Sequence, residues 1–338
     1  MKISSNYNLK PHNTFGIEAK CNLFIEFSDE NELQEALTRV RESNLPFLIL
    51  GEGSNLLLTG DYEGIVLHSG IKGIEATETE DGILVKAGSG VVWDELVEHC
   101  INNGWHGLEN LSYIPGTVGA SAVQNIGAYG CEAKDAIYNI EAIEIETGTK
   151  HVISNSDCNY SYRHSKFKAE WKNKFVITNV TYKLSSAFTP HIDYGNIKDE
   201  LAKRGYGLTP DAKQLREIII DIRKAKLPEP EIEGNAGSFF MNPIVERCVY
   251  ENLAQSYPEM PHYTISNESE KIPAGWLIEK CGWKGSSLGK AGVHDKQALV
   301  LVNRGGATGQ DILRLCNTIR EDVKTKFDIT IIPEVNIL

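Results

Sequence analysis

Two glycine-rich stretches limit most strongly how this chain can fold. The first, Gly51-Glu52-Gly53-Ser54-Asn55, follows directly on an apolar run, Phe47-Leu48-Ile49-Leu50. The second extends from Ile114-Pro115-Gly116-Thr117-Val118-Gly119-Ala120 to Gln124-Asn125-Ile126-Gly127-Ala128-Tyr129-Gly130. It places four glycines within fifteen residues, interleaved with amide and hydroxyl side chains. Ordering so much glycine is entropically costly, and the usual return is close approach of backbone N–H groups to an anion. Neither stretch is a Rossmann fingerprint, since Leu56 stands where a third glycine would be needed, and no Gly-Lys-Ser or Gly-Lys-Thr loop occurs. Taken alone, the first loop fits a phosphate site or a tight turn equally well. The second reads better as a ligand cradle, because functional loops carry this kind of backbone. Together the two could hold a diphosphate and an attached planar ring.

The surrounding pattern alternates strand and helix. Ser28 is placed to cap a helix bearing Leu33, Ala36, Leu37 and Val40 on one face. Short strands are expected at 65–67 and 83–85. A helix follows from about Val91, with Leu96, Val97, Cys100 and Ile101 as its stripe and Gly104 just past its end. Residues 105–130 show little periodicity. Strands are expected around Ile143 and Ile145 and from Phe175 to Leu184, and Thr147-Gly148 reads as a turn. Thr209-Pro210 predicts a helix start, with Leu215, Ile218, Ile219 and Ile222 buried and Leu227-Pro228-Glu229-Pro230 stopping it. A last helix carries Ile312, Leu315, Cys316, Ile319 and Val323, and a strand from Ile329 to Leu338 closes the chain. The 338 residues suit two or three domains, with changes of character near residues 60 and 205, hence segments 1–60, 61–205 and 206–338.

Charge and cysteine usage exclude several function classes. With 34 basic against 46 acidic residues the net charge is −12, and the basic residues are scattered, so nucleic acid is not an expected partner. An anionic small molecule still fits if one pocket is basic or rich in N–H groups. The seven cysteines are widely spaced without a Cys-x-x-Cys, so neither a disulfide framework nor a zinc site is expected. No metal-ligand spacing of His appears, and no metal site is predicted. No apolar run approaches the ~18 residues of a membrane span, and the start lacks an apolar signal core. The expectation is a cytoplasmic protein with no membrane partner.

Three places offer reactive side chains. Tyr160-Ser161-Tyr162-Arg163-His164-Ser165-Lys166 mixes aromatic, hydroxyl and basic groups, as an anion clamp or a solvated basic turn would. Gly234-Asn235-Ala236-Gly237-Ser238-Phe239-Phe240 sets one serine between glycines that admit a ligand and aromatics that exclude water; the alternative is a hydroxyl that merely satisfies a turn. Glu334 lies among apolar neighbours in the final segment, where desolvation would raise its pKa, unless it is an edge residue reaching water.

Several long motifs in order complete the picture: Leu50-Gly51-Glu52-Gly53-Ser54-Asn55, Gln124 to Gly130, Gly234 to Phe240, and Ala274-Gly275-Trp276-Leu277-Ile278-Glu279. In these, and from Asn13-Thr14-Phe15-Gly16 to Pro333-Glu334-Val335, the chain resembles the UDP-N-acetylenolpyruvoylglucosamine reductases, type I subgroup, flavoenzymes of peptidoglycan precursor synthesis. The resemblance implies an α+β chain: an FAD-binding domain of the vanillyl-alcohol-oxidase type in two subdomains, then a C-terminal α+β substrate domain. It implies bound FAD, NADPH as hydride source, and reduction of UDP-N-acetylglucosamine enolpyruvate to UDP-N-acetylmuramate. The implied catalytic set is Arg163, Ser238 and Glu334, with Ser238 giving the proton. Implied cofactor residues are Gly51, Glu52, Gly53, Ser54, Asn55, Pro115, Gly116, Thr117, Gly119, Ala120, Gln124, Asn125 and Gly127. Implied substrate contacts are Tyr129, Tyr194, Lys226, Asn242, Tyr263, Lys284 and Gln297. One departure is visible: Met241 stands where the family usually has Lys. Another FAD oxidoreductase on the same flavin fold, or a non-catalytic nucleotide-sugar binder, is the alternative.

Overall fold

A computed structural model describes residues 1–338, and the chain divides into two compact units. The first contains Met1–Tyr7, Cys21–Glu52 and Glu63–Arg223; the second contains Asn8–Lys20, Gly53–Tyr62 and Lys224–Leu338. The last division between the two units falls between Arg223 and Lys224. The first unit also gives up two short segments near its start, which no composition shift marks.

In the first unit, strand Phe47–Leu50 runs parallel to Tyr62–Ser69 in a four-stranded sheet. Helix α1, Glu30–Ser43, covers this sheet with Leu33, Ala36, Leu37 and Val40, all buried. Its cap is Asp29 rather than Ser28. Asp29 is extended, and its carboxylate accepts the Glu32 N–H at 2.8 Å, satisfying one orphan donor of the first turn. A second sheet is antiparallel, in the order Lys150–Ser154, Ile137–Glu144, Phe175–Leu184, Gly82–Gly88, Ile74–Thr79. Helix α2, Trp93–Asn102, buries Leu96, Val97, Cys100 and Ile101 in its core, and Gly104 follows in the left-handed region.

Helix α3, Val118–Gln124, had no sequence signal, because seven residues carry too few turns for a period to show. Thr117 caps it. Helices α4, Ile197–Arg204, and α5, Ala212–Lys226, share a small core of Ile197, Leu201, Leu215, Ile218, Ile219 and Ile222. Asp211, not Thr209, begins α5: its carboxylate accepts the Gln214 N–H at 2.8 Å, and Gln214 returns a bond to the Asp211 N–H.

The second unit is built on helix α8, Gly309–Phe327, whose face of Ile312, Leu315, Cys316, Ile319 and Val323 is buried. A sheet in the order Gly234–Ser238, Val300–Asn303, Ala291–Val293, Ser287–Leu288 packs in the same core. Helices α6, Arg247–Ser256, and α7, Ala274–Lys280, complete it, with a three-stranded sheet of Ile244–Glu246, Ser269–Lys271 and Tyr263–Thr264.

The expected final strand is interrupted. Pro333 makes an isolated bridge to Phe240, and only Asn336–Ile337 forms a strand, parallel to Leu56–Leu57. The segment changes partner at Pro333, which has no N–H to continue a ladder. All seven cysteines are free thiols, and no group of three or more potential metal ligands exists. No helix is long and apolar enough to cross a membrane.

Candidate active site

The first glycine loop straddles the division of the chain. Gly51 and Glu52 belong to the first unit, and Gly53, Ser54 and Asn55 to the second. Within the first unit the two loops meet. A Cβ added at Gly51 would lie 3.0 Å from Thr117 Oγ1, and Glu52 Oε2 accepts the Gly116 N–H at 3.0 Å. Burial pushes the Glu52 carboxyl above the usual carboxylate range, and the Gly116 bond and Lys72 offset this in part. A carboxyl oxygen is therefore already seated on one of the N–H groups expected to serve a ligand. The Gly119 N–H is also used, by the Ser89 carbonyl at 2.9 Å, and a Cβ there would meet Ser89 Cβ at 2.9 Å. Gly119 thus serves packing of α3. Ala120 N–H reaches the Thr117 hydroxyl at 3.4 Å, and Pro115 stands exposed at the rim.

Gln124 presents a different case. Its side-chain oxygen is buried and has no hydrogen-bond partner within the protein. A buried acceptor left open is expensive, so it marks a place where an outside donor belongs. Asn125 is fully buried and saturated: its amide donates to Glu132 Oε2 at 3.1 Å and to the Ser161 carbonyl at 2.9 Å, and it accepts the Lys134 N–H at 3.1 Å.

Those bonds position Arg163. Residues Ser161 and His164 form a tight bridge, with Arg163 left-handed at φ 55° between them. Asn125 holds one side of this turn, and Ser165 donates to the Val123 carbonyl at 2.7 Å on the other. Arg163 Nη2 donates to the Gly127 carbonyl at 3.2 Å. The predicted anion clamp is therefore fastened to the predicted cradle. Tyr129, on the same loop, packs edge-on against Tyr194 with ring centroids 6.4 Å apart.

In the second unit, Ser238 ends its strand opposite Val300. The two residues after it are fully buried, and Phe240 bridges Pro333. Glu334 N–H donates to the Phe239 carbonyl at 2.8 Å, and Met241 N–H to the Ile332 carbonyl at 3.0 Å. Ser238 and Glu334, 96 positions apart in sequence, thus sit on neighbouring extended segments, both half-buried. Asn55 joins them through a bond from its amide to the Glu334 carbonyl at 3.5 Å, while its own carbonyl accepts from Asn336 at 3.0 Å. Gly53 explains why the loop turns there: φ is +64°, and a Cβ would lie 2.1 Å from the His12 carbonyl oxygen.

Comparison with known proteins settles the lineage. A model of an FAD-binding domain matches residues 22–154, and one of the UDP-N-acetylenolpyruvoylglucosamine reductase C-terminal domain matches 229–338. A Bacteroides fragilis UDP-N-acetylenolpyruvoylglucosamine reductase is 51% identical over 99% of this chain and 100% of its own length. Relatives of the same name from Flavobacterium johnsoniae and Pseudomonas aeruginosa are 45% and 42% identical, each over 100% of this chain and 100% and 99% of their own. The chain belongs to the UDP-N-acetylenolpyruvoylglucosamine reductase family. A solved member from Thermus caldophilus shares the fold, with a TM-score of 0.66 and 22% identity over 99% of this chain and 98% of that one.

Other reductase-family positions fall into two groups. Asn242 Oδ1 accepts the Ala274 N–H at 2.9 Å and so fixes the start of α7, and Gln297 lies against Gly275 of the same helix. Lys284 is exposed and pairs with Glu279 at 3.1 Å, while exposed Tyr263 lies under Lys271. Lys226 is exposed at the end of α5, and half-buried Met241 contributes its backbone to the pairing with Ile332. Sequence reasoning overlooked Asp94, Arg216 and Arg223, which surround Tyr113 at the entry to the second loop. The available signal was an Arg at positions seven apart beside the apolar stripe of α5.

Proposed function

We propose that this chain is an NADPH-dependent flavoenzyme that reduces UDP-N-acetylglucosamine enolpyruvate to UDP-N-acetylmuramate, acting in the cytoplasm. The names of its relatives and the FAD-binding match support the activity and the cofactor. The observation that supports this reading is the backbone pairing that brings the segments of Ser238 and Glu334 next to one another, Glu334 N–H to the Phe239 carbonyl. The open Gln124 acceptor suits a heterocycle that carries an N–H.

FAD, when bound, relays a hydride from NADPH to the substrate. The substrate double bond is an enol ether conjugated to a carboxylate. Hydride arriving at its terminal carbon leaves negative charge on the neighbouring carbon and the carboxylate. Arg163, held by Asn125 and Ser165 before ligand arrives, supplies a fixed guanidinium for that charge at little reorganisation cost. Glu334 in its acid form adds a hydrogen bond. Ser238 Oγ then delivers the proton that completes addition across the double bond. A hydroxyl is a weak acid in water, but transfer to a carbanion-like centre is downhill when the geometry is held. Tyr129, Tyr194, Lys226, Asn242, Tyr263, Lys284 and Gln297 bind the nucleotide part.

The purified protein is expected to be yellow. NADPH added anaerobically bleaches the flavin bands, and the enolpyruvyl nucleotide restores them. A colourless protein argues for a non-catalytic nucleotide-sugar binder. Bleaching without restoration by this substrate argues for a different flavin oxidoreductase.

A further inference from the structure

The short 3-10 turn Glu109–Leu111 is buried and carries a side chain that the reaction does not use. Asn110 is 4% exposed, and its amide nitrogen donates to the carbonyls of two separate loops, to Tyr129 at 3.0 Å and to His191 at 2.9 Å. The first carbonyl lies on the second glycine loop. The second opens the segment His191-Ile192-Asp193-Tyr194. Each loop carries a tyrosine read above as a substrate contact.

The turn beneath Asn110 is itself fastened. Glu109 accepts the Gly107 N–H at 2.8 Å and meets His106 Nδ1 at 2.8 Å, while the Ser112 hydroxyl donates to the Glu109 carbonyl at 2.6 Å. Asn110 thus presents its amide from a fixed base. The two loops depend on such a base. Tyr129 is left-handed at φ 49° and Gly130 follows at φ 83°, and a strained tyrosine backbone persists only where its surroundings hold it. Past His191, Ile192 is buried in the small core of α4 and α5, and Asp193 pairs at the surface with Lys198 at 2.5 Å. An exposed ion pair of that kind holds a loop weakly. The loops also meet each other: the Tyr129 and Tyr194 rings pack edge-on, and a Cβ added at Gly130 would lie 3.6 Å from Tyr194 Cβ.

We propose that Asn110 is a positioning residue of the reductase: one buried amide, donating to the Tyr129 and His191 carbonyls, sets the loops of the two substrate tyrosines against each other. The inference rests on the reading of Tyr129 and Tyr194 as contacts to the enolpyruvyl nucleotide. Its chemistry matters more than its size. Aspartate has nearly the same shape but no donor, so both carbonyls would lose their partner and face a negative charge.

The test is Asn110→Asp, read on the FAD-loaded enzyme. KM for the enolpyruvyl nucleotide is expected to rise ~10-fold, with kcat changed less than ~3-fold and flavin content kept. In a Tyr194→Ala background the same change is expected to add less than ~3-fold, because one of the groups it positions is already gone. Amide hydrogen exchange supplies a readout that needs no substrate. Residues 127–131 and 188–196 should both exchange ~10-fold faster in Asn110→Asp, with helix α2 within ~2-fold of wild type. Faster exchange in one loop only, or in α2 as well, overturns the proposal. So does an unchanged KM, or factors that multiply fully in the double variant. Asn110→Leu is judged by the same criteria should the aspartate variant fail to fold. A wild-type enzyme that ignores the enolpyruvyl nucleotide, while Asn110→Asp loosens both loops, refutes the proposed reaction and leaves the Asn110 brace standing.

Discussion

In the second unit, Ser238 and Glu334 take their places from backbone pairing: a strand opposite Val300, a bridge from Phe240 to Pro333, and an N–H from Glu334 to Phe239. In the first unit, Arg163 and Tyr129 sit at left-handed residues on loops and are held by side chains, Asn125 and Ser165 for one and Asn110, which donates to the Tyr129 carbonyl, for the other. Backbone pairing tolerates substitution of nearby side chains, because the bonds belong to every residue type. Side-chain fastening does not, and each fastener removed leaves a buried group unsatisfied. On the proposed mechanism, the proton donor thus stands on the robust element, and the groups that would meet ligand charge stand on the sensitive one.

Arg163→Lys tests the sensitive side with the largest expected effect. Turnover should fall ~10- to ~100-fold with flavin retained, because a point charge does not replace a planar fork; steady-state kinetics on the yellow enzyme measures it. Asn125→Ala should come next. It removes three side-chain bonds from a fully buried site, including the one to the Ser161 carbonyl. A stability loss of ~2–4 kcal/mol by denaturant titration is expected, with lower turnover in the folded fraction. Asn336→Ala is its counterpart in the second unit. Asn336 is exposed and bonds the Asn55 carbonyl, so the loss should stay under ~1 kcal/mol, with turnover within ~2-fold of wild type. Comparable losses from the two asparagines would erase the contrast between the units.

The smallest effect belongs to Glu52. Its carboxyl lies above the ordinary range in the folded protein, mainly through burial, so the folded state holds its proton more tightly than the unfolded chain. Stability from this group is present at low pH and is lost as pH rises from the ordinary carboxylate value through the raised one. Glu52→Gln should therefore flatten the fall of melting temperature across mildly acidic pH in flavin-free protein.

Much of this was legible in the residues. The apolar stripes of α1, α2, α5 and α8 are buried as their spacing demands. The two glycine loops do meet, at Gly51 and Thr117. What stayed hidden were features that depend on distant partners. No local signal tells that the Gly119 N–H is spent on Ser89, or that the Gly116 N–H is occupied by Glu52. The final segment keeps its alternation, yet it changes partner at Pro333, so a single regular strand was the wrong form for it. Capping was misplaced by one residue at Asp29 and by two at Asp211, in each case because a neighbouring hydroxyl competes for the same role in sequence alone. Arg223 was invisible because its target, the Tyr113 carbonyl, lies 110 positions away along the chain.

The account turns on Ser238 as the proton source, and the two half-reactions of Ser238→Ala separate that role from every other. Followed anaerobically at the flavin bands, the variant should bleach with NADPH at the wild-type rate. On adding the enolpyruvyl nucleotide, colour should then return at least ~10²-fold more slowly than in wild type. Colour returning at the wild-type rate, with UDP-N-acetylmuramate formed, would contradict it.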